Sequence, residues 1–387
     1  MEDLLPGVER VPASLGPSEL GHRLLTVPLR SDEAPAEPQT NPITVPIPGK
    51  KEREIATEPV VLSLGPVQPL TAGPLRLLLT ADGEQIVSAR IEAGYAARDV
   101  ARAMSEATVP GAAALASSLD PLAPVAGRLA YVIALEQLQH WGPDPGLRNQ
   151  REAVLALERA QNYLAWLVRF AELVDDDRLA VTAEQLNAHL ADVTAPLSER
   201  LPIEWVVPQG GVATTQPDKL RAPLDRLIAE VVALRERLEG DRLLALRTAG
   251  IGAITVDRLQ AVGASGPVLH ASERGRGDVL GRLLTRLDQA ADDLRQAADF
   301  APVPKPVEGR TADWSAPPGR TEVEIVGPRG HLRLSLMSDS GRLREVNWQR
   351  PSAALLNLIP ELLAGQKLPC AEVIVASLDL AMAEADG

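Results

Sequence analysis

One cysteine, Cys370, stands among 387 residues. The chain by itself therefore makes no disulfide, no four-thiolate cluster and no zinc ribbon, and its cysteine usage fits a reducing compartment. Positive charge is also short, with 39 Lys and Arg against 52 Asp and Glu, a net charge of -13. Such a field repels a phosphate backbone, which excludes nucleic acid as a partner. No long hydrophobic run is present: the most apolar window, 112 to 135, carries Asp120, Arg128, Pro121 and Pro124. It falls short of a spanning helix and reads as a buried helix with an irregular entry. The start "MEDLLPGVER" lacks the basic and apolar segments of a secretory signal, so the expectation is a protein that is not exported.

Generic catalytic signatures are missing too. The five histidines (His22, His140, His189, His270, His331) form no pair at helical ligand spacing. "GIGAIT" (250–255) and "GRGDVLG" (275–281) are Gly-rich, yet neither follows a strand in a βαβ unit nor supplies a P-loop lysine, so both read as tight turns. No G-x-S-x-G elbow occurs. Cys370, ahead of a strand-like apolar run, reads as a small buried hydrophobe. The acidic run 175–177, just after an apolar helix, reads as a solvated helix end.

What is present is a large hydrophobic complement, 45%, enough for a substantial core. Residues 1–58 are rich in proline and charge and read as an extended arm that wraps a neighbour. From Val60, "VVLSLG", "LRLLLTA" and "EQIVSARIE" read as strands, the last two joined at Asp82-Gly83, a dipeptide that favours a tight hairpin turn. Apolar residues recur at three- and four-residue steps in 148–174, 218–246 and 278–298, predicting three amphipathic helices able to pack as a bundle. After a second Pro-rich connection (301–320), "TEVEIVG" and "HLRLSLM" alternate as strands do, and a last helix is expected at about 352–364. The predicted class is α+β, a central helical bundle with small antiparallel sheets near both ends, divided as 1–58, 59–300 and 301–387.

Several stretches, in order, carry a resemblance: "LGPVQPLTAGPLRLLLTADGE" (64–84), "RIEAGYAARDVARAM" (90–104), "RLAYVIALEQL" (128–138), "LALERAQNYLAWL" (155–167), "QGGV" (209–212), "LRTAGIG" (246–252), "SGPVLHAS" (265–272), "APPGRTEVEIVG" (316–327) and "ELLAGQKLPCAEVIVASLDL" (361–380). From about residue 60 onward the chain resembles the large subunit shared by respiratory complex I (the 49 kDa, D-type subunit) and the membrane-bound group 4 [NiFe] hydrogenases. The resemblance implies a [NiFe] hydrogenase large-subunit-like fold. In hydrogenase members two Cys-x-x-Cys pairs hold the metals, and these positions fall on Asp120 and Ala123, and on Ala381 and Glu384. With no thiolate at any of them, a soft-metal centre is excluded.

Complex I members use the same space for a quinone headgroup. Their two hairpin histidines correspond to Gln68 and Ala72, the tyrosine to Pro121, and a helical histidine to Tyr163. The glycines and other residues that set the frame persist, among them Gly65, Gly73, Glu136, Arg247 and Gly266. The resemblance implies a scaffold subunit on the cytoplasmic side of a membrane, without a spanning segment, between a small iron-sulfur subunit and a membrane-embedded one. It binds no cofactor directly on this reading, with the clusters in a partner. A quinone-reducing subunit is the alternative, with Gln68, Tyr131 and Tyr163 as altered quinone ligands. Two further readings stay open: a cation site built from Asp120, Asp379, Glu384 and Asp386, and a soluble interaction module.

Overall fold

The computed structural model describes residues 59–198, 206–210, 218–266, 277–300 and 312–387. The predicted arm at 1–58 and the first part of the 301–320 connection lie outside them.

At the first hairpin Gly83 adopts the left-handed backbone that the Asp82-Gly83 turn calls for. It joins β2 (Arg76–Asp82) to β3 (Gln85–Glu92), and β1 (Val60–Leu64) adds to the other edge of β2, all antiparallel. Burial alternates along β2, which turns Leu77 and Leu79 into the core. Three helices follow, α1 (Val100–Glu106), α2 (Val109–Ser118) and α3 (Pro124–Leu138). The apolar window 112–135 is thus split between α2 and α3 by a turn that holds Asp120 to Ala123, because Pro121 and Pro124 cannot continue the first helix.

The bundle consists of α4 (Pro145–Leu173), α5 (Asp177–Ser198), α6 (Asp218–Glu239) and, after the short α7 (Arg242–Thr248) and α8 (Val256–Ala261), α9 (Val279–Phe300). Two of the three sequence-predicted helices are found whole, 148–174 in α4 and 278–298 in α9. The third, 218–246, is broken at Gly240 and Asp241 into α6 and α7, where the Asp241 carboxylate accepts the Leu243 and Leu244 N–H groups and starts a new helix. A further helix, α5, joins them. The acidic run 175–177 therefore does more than end α4: the Asp176 carboxylate accepts the Leu179 N–H at 2.9 Å and caps the start of α5. The α9 stripe Leu283, Leu287, Ala291 and Leu294 is almost fully buried.

A second antiparallel sheet, β4 (Gly319–Gly327), β5 (Gly330–Asp339) and β6 (Arg342–Gln349), precedes α10 (Pro351–Leu356), α11 (Ile359–Leu363), α12 (Cys370–Ala376) and α13 (Met382–Asp386). Here one expectation is corrected, since the strand-like run after Cys370 is helical. Val373, Ile374 and Val375 are buried on successive positions, and an apolar run that short does not by itself separate a strand from a buried helix. The class is α+β as predicted. Among the described residues there are two hydrophobic cores: the bundle packs with the first sheet and α10 to α13, while α1 to α3 pack with the second sheet.

One close approach fixes where the second sheet meets the rest. Gly266 and Gly330 both have positive φ, 148° and 137°, and a Cβ on Gly266 would run into Gly330 Cα. The His331 N–H donates to Ser265 O at 2.9 Å beside them. Gly266→Ala is expected to cost about 1–3 kcal/mol through backbone strain and overpacking, read as a lower urea midpoint with an unchanged slope.

Candidate functional site

The β4–β5 turn, Gly327 to Gly330, carries an arginine into the interior. The side chain of Arg329 is 2% exposed. Its Nη1 pairs with the carboxylate of Asp120, its Nη2 donates to Asn162 Oδ1 at 3.2 Å, and its Nε donates to the Asp379 carbonyl at 2.9 Å. The Asp379 carboxylate lies 4.0 Å from the same Nε and accepts from Arg169 at 3.2 Å. Burial works against the Arg329 charge, but Asp120, Asp379 and Glu384 outweigh it and hold the guanidinium more firmly protonated than a free arginine.

Segment 376–381 is clamped from several sides. Trp166 Nε1 donates to Ala376 O at 2.8 Å, Arg286 Nη1 to Ser377 O at 2.7 Å, and Arg282 Nη2 to Ser377 Oγ at 2.7 Å. Arg286 also lies over the Trp166 ring at 4.2 Å. Burial lowers Arg282 to about 9 and Arg286 to about 10. The Ala72 N–H donates to Leu380 O and the Met382 N–H to Ala72 O, each at 2.8 Å, so Ala72 and Ala381 face each other in a short parallel bridge.

The sequence-predicted positions are therefore brought together in part. Asp120, Ala123 and Glu384 border one small cavity with Arg329, of about 10 Å³, whereas Ala72 and Ala381 meet each other in the parallel bridge and do not line it. That volume is room for about one water, far below the ~300–1,000 Å³ of a small-molecule site. Gln68 instead folds back on its own loop, donating to Leu75 O at 3.2 Å, and Pro121 is exposed. Tyr131 belongs to the core under the second sheet, where its hydroxyl donates to Val109 O at 2.8 Å. Tyr163 belongs to the bundle core, and its buried hydroxyl meets no partner among the described residues. Gln68, Tyr131 and Tyr163 do not converge on one cavity.

The cation reading is corrected. Among the described residues no group of three or more His, Cys, Asp or Glu side chains could hold a metal ion. Asp120 and Asp379 are spent on arginines, Glu384 accepts from Ser352 Oγ, and both oxygens of Asp386 accept backbone N–H groups, Gly94 at 2.9 Å and Ala96 at 2.8 Å. Arg329 is the residue that sequence reasoning missed, and the signal was there: an arginine flanked by glycine and proline in "GPRG", between two alternating strands.

Burial pushes the Glu384 carboxyl up to about 7, Asp120 adds to the rise, and Arg329, Ser352 and Arg350 oppose it. Glu158 is buried as well and rises to about 8, against two backbone donors, Val125 N at 2.7 Å and Ala126 N at 2.9 Å, at the start of α3.

The fold and site define an α+β protein built on a bundle, in which a buried arginine borders a cavity of about 10 Å³. No family model matches the chain. Among curated proteins it is 24% identical over 413 residues to D-type subunit 1 of the NADH-quinone oxidoreductase of Roseiflexus castenholzii, covering 91% of this chain and 99% of that one. It is 24% identical to D-type subunit 2 of the Thermodesulfovibrio yellowstonii enzyme (84% and 96% covered) and 25% identical to D-type subunit 2 of the Chloroflexus aurantiacus enzyme (90% and 100%). The chain is a divergent relative of the D-type subunits of NADH-quinone oxidoreductase, the family its motifs resemble.

The two buried tyrosines should respond oppositely to loss of their hydroxyls. Tyr131→Phe removes a made hydrogen bond, costing about 0.5–1.5 kcal/mol, whereas Tyr163→Phe removes an orphan and should be neutral or slightly stabilising. Urea denaturation of both variants decides it.

Glu384 gives a pH test. A carboxyl raised from 4.5 to about 7 by folding binds a proton in the native state that the unfolded chain has lost. Its stabilising contribution is thus present below about pH 4.5 and is lost as pH rises toward 7. Between pH 5 and pH 8 wild type should lose about 1–3 kcal/mol more than Glu384→Gln. Equal losses would show that Glu384 does not titrate in this window.

Proposed function

We propose that this chain is the D-type component of a complex I-like membrane-associated redox assembly and acts there as a scaffold without a redox centre of its own. On this reading it lies at the cytoplasmic side of the membrane, between a small iron-sulfur subunit and a membrane-embedded one. The observation that carries the proposal is the closure of the family's reactive space. Where other members hold metal or a quinone headgroup, this chain has a guanidinium paired with Asp120 and a cavity of about 10 Å³. The donor set does not fit nickel, which needs soft thiolates, and the cavity does not fit a quinone ring.

Docking has its own support. The loops that carry these positions expose apolar side chains, Val67 at 91%, Tyr95 at 48% and Leu122 at 45%, and such surface fits a covered interface. No helix among the described residues is long and apolar enough to cross a membrane, so membrane attachment falls to a partner. Purification with native partners in mild detergent, with bound iron-sulfur, nickel and quinone quantified, tests the reading. Co-purification with iron-sulfur and membrane subunits is expected, unchanged in content of quinone when Arg329 is replaced by Lys. A lone soluble species, or quinone lost specifically from Arg329→Lys complexes, contradicts it.

A further inference from the structure

The two edges of the first sheet differ. The edge on β3 is closed at its start by the segment after α11: the Ile86 N–H donates to Gln366 O and Ile86 O accepts the Gly365 N–H, each at 2.8 Å. On the other side β1 is the outermost strand, and among the described residues its backbone bonds to β2 alone. Free N–H and C=O groups along an apolar strand are a template for another strand, and folded proteins cover or charge such an edge. This one carries no charge, reading Val60, Val61, Leu62, Ser63, Leu64.

Its core face is also incompletely buried. Val60, Leu62 and Leu64 lie opposite Ala81, Leu79 and Leu77, all buried, and alternation puts the three on the face that looks to the bundle. Leu62 and Leu64 pack against that core yet stay half-buried, and Val60 is 54% exposed. The core is thus open along the flank of β1.

The sequence just upstream supplies what this flank lacks. Ile43, Thr44, Val45, Pro46 and Ile47 place apolar side chains at every second position, and all but the proline are β-branched, as strands prefer. Twelve residues, 48–59, lead from there to β1, with Pro48-Gly49 to turn the chain. A connection of this length keeps the segment at high local concentration beside the edge. We propose that residues 43–47 of the same chain add to β1 as a fourth, antiparallel strand and cover this flank. Ile43 then lies opposite Leu64, Val45 opposite Leu62 and Ile47 opposite Val60, three apolar pairs on the core face. Pro46 is tolerated there, because alternate N–H groups of an outermost strand point to solvent. Leu25 to Leu29, "LTVPL", alternates in the same way but is separated from β1 by 30 residues, 30–59, and the shorter closure favours 43–47.

Two measurements on the full-length chain test the assignment. By hydrogen exchange read with mass spectrometry, peptides covering 43–47 should exchange at least roughly tenfold more slowly in the native protein than in the urea-unfolded chain, a protection that Val45→Asp removes. Val45→Cys combined with Leu62→Cys, in a Cys370→Ser background that removes the native thiol, should oxidise to a disulfide within one chain, whereas Val27→Cys with Leu62→Cys should not. Ile47→Cys with Val60→Cys, at the more exposed end of the strand, serves if the Leu62 variant does not fold. Unprotected exchange at 43–47 in wild type, a link from Val27 in place of Val45, or links formed only between two chains overturns the proposal. Protection at 43–47 without either expected link overturns it too, since the segment then pairs elsewhere.

Discussion

The ion pair of Arg329 with Asp120 is the contact on which the interior is organised. A guanidinium removed from water cannot be left without counter-charge and acceptors, so every segment able to satisfy it must be present at once. Asp120 comes from the α2–α3 turn, Asn162 from α4, and the Asp379 carbonyl from the segment before α13. These segments are far apart in sequence, and the two cores meet where they converge. The Gly266 and Gly330 approach serves the same end, because it sets the turn from which Arg329 projects.

Arg282 and Arg286 extend this arrangement without a carboxylate of their own. They are held by carbonyls and the Ser377 hydroxyl, with Trp166 beneath Arg286. Burial opposes their charge, which is why both fall below the usual arginine range. Such positive groups around segment 376–381 favour acids nearby, and Asp379 lies within this ring, met by Arg169 and Arg329. Among the described residues, the Asp120 and Asp379 carboxylates answer the Arg329 and Arg169 guanidiniums, while Arg282 and Arg286 rest on carbonyls and a hydroxyl.

Much of the fold was legible because it rests on periodicity and turn chemistry. The three amphipathic stripes, the Asp82-Gly83 hairpin and the alternation in β4 and β5 each appear where the pattern puts them. The misses have a common cause, in that tertiary burial overrides local pattern. "CAEVIVA" is apolar on every face because it is enclosed, so its period is silent. Acids at 175–177 signal the start of a helix as well as the end of one. Arg329 was missed because a charged residue in a hairpin turn is ordinarily solvated, and its partners lie 209 and 167 residues away in sequence.

Of the four positions at which the resemblance puts metal ligands, Asp120 faces Arg329 and Glu384 faces Ser352, while Ala123 and Ala381 are buried packing residues. Tyr163 contrasts with these residues. It fills the bundle core beside the buried Arg159–Asp293 pair, but among the described residues its hydroxyl has no partner, and one oxygen of Asp293 has none either. A polar atom left unpaired in the core is unfavourable, so packing rather than hydrogen bonding accounts for the tyrosine there. Asp120 has the opposite standing, since its carboxylate is the counter-charge of the buried Arg329 and its loss would strand that guanidinium.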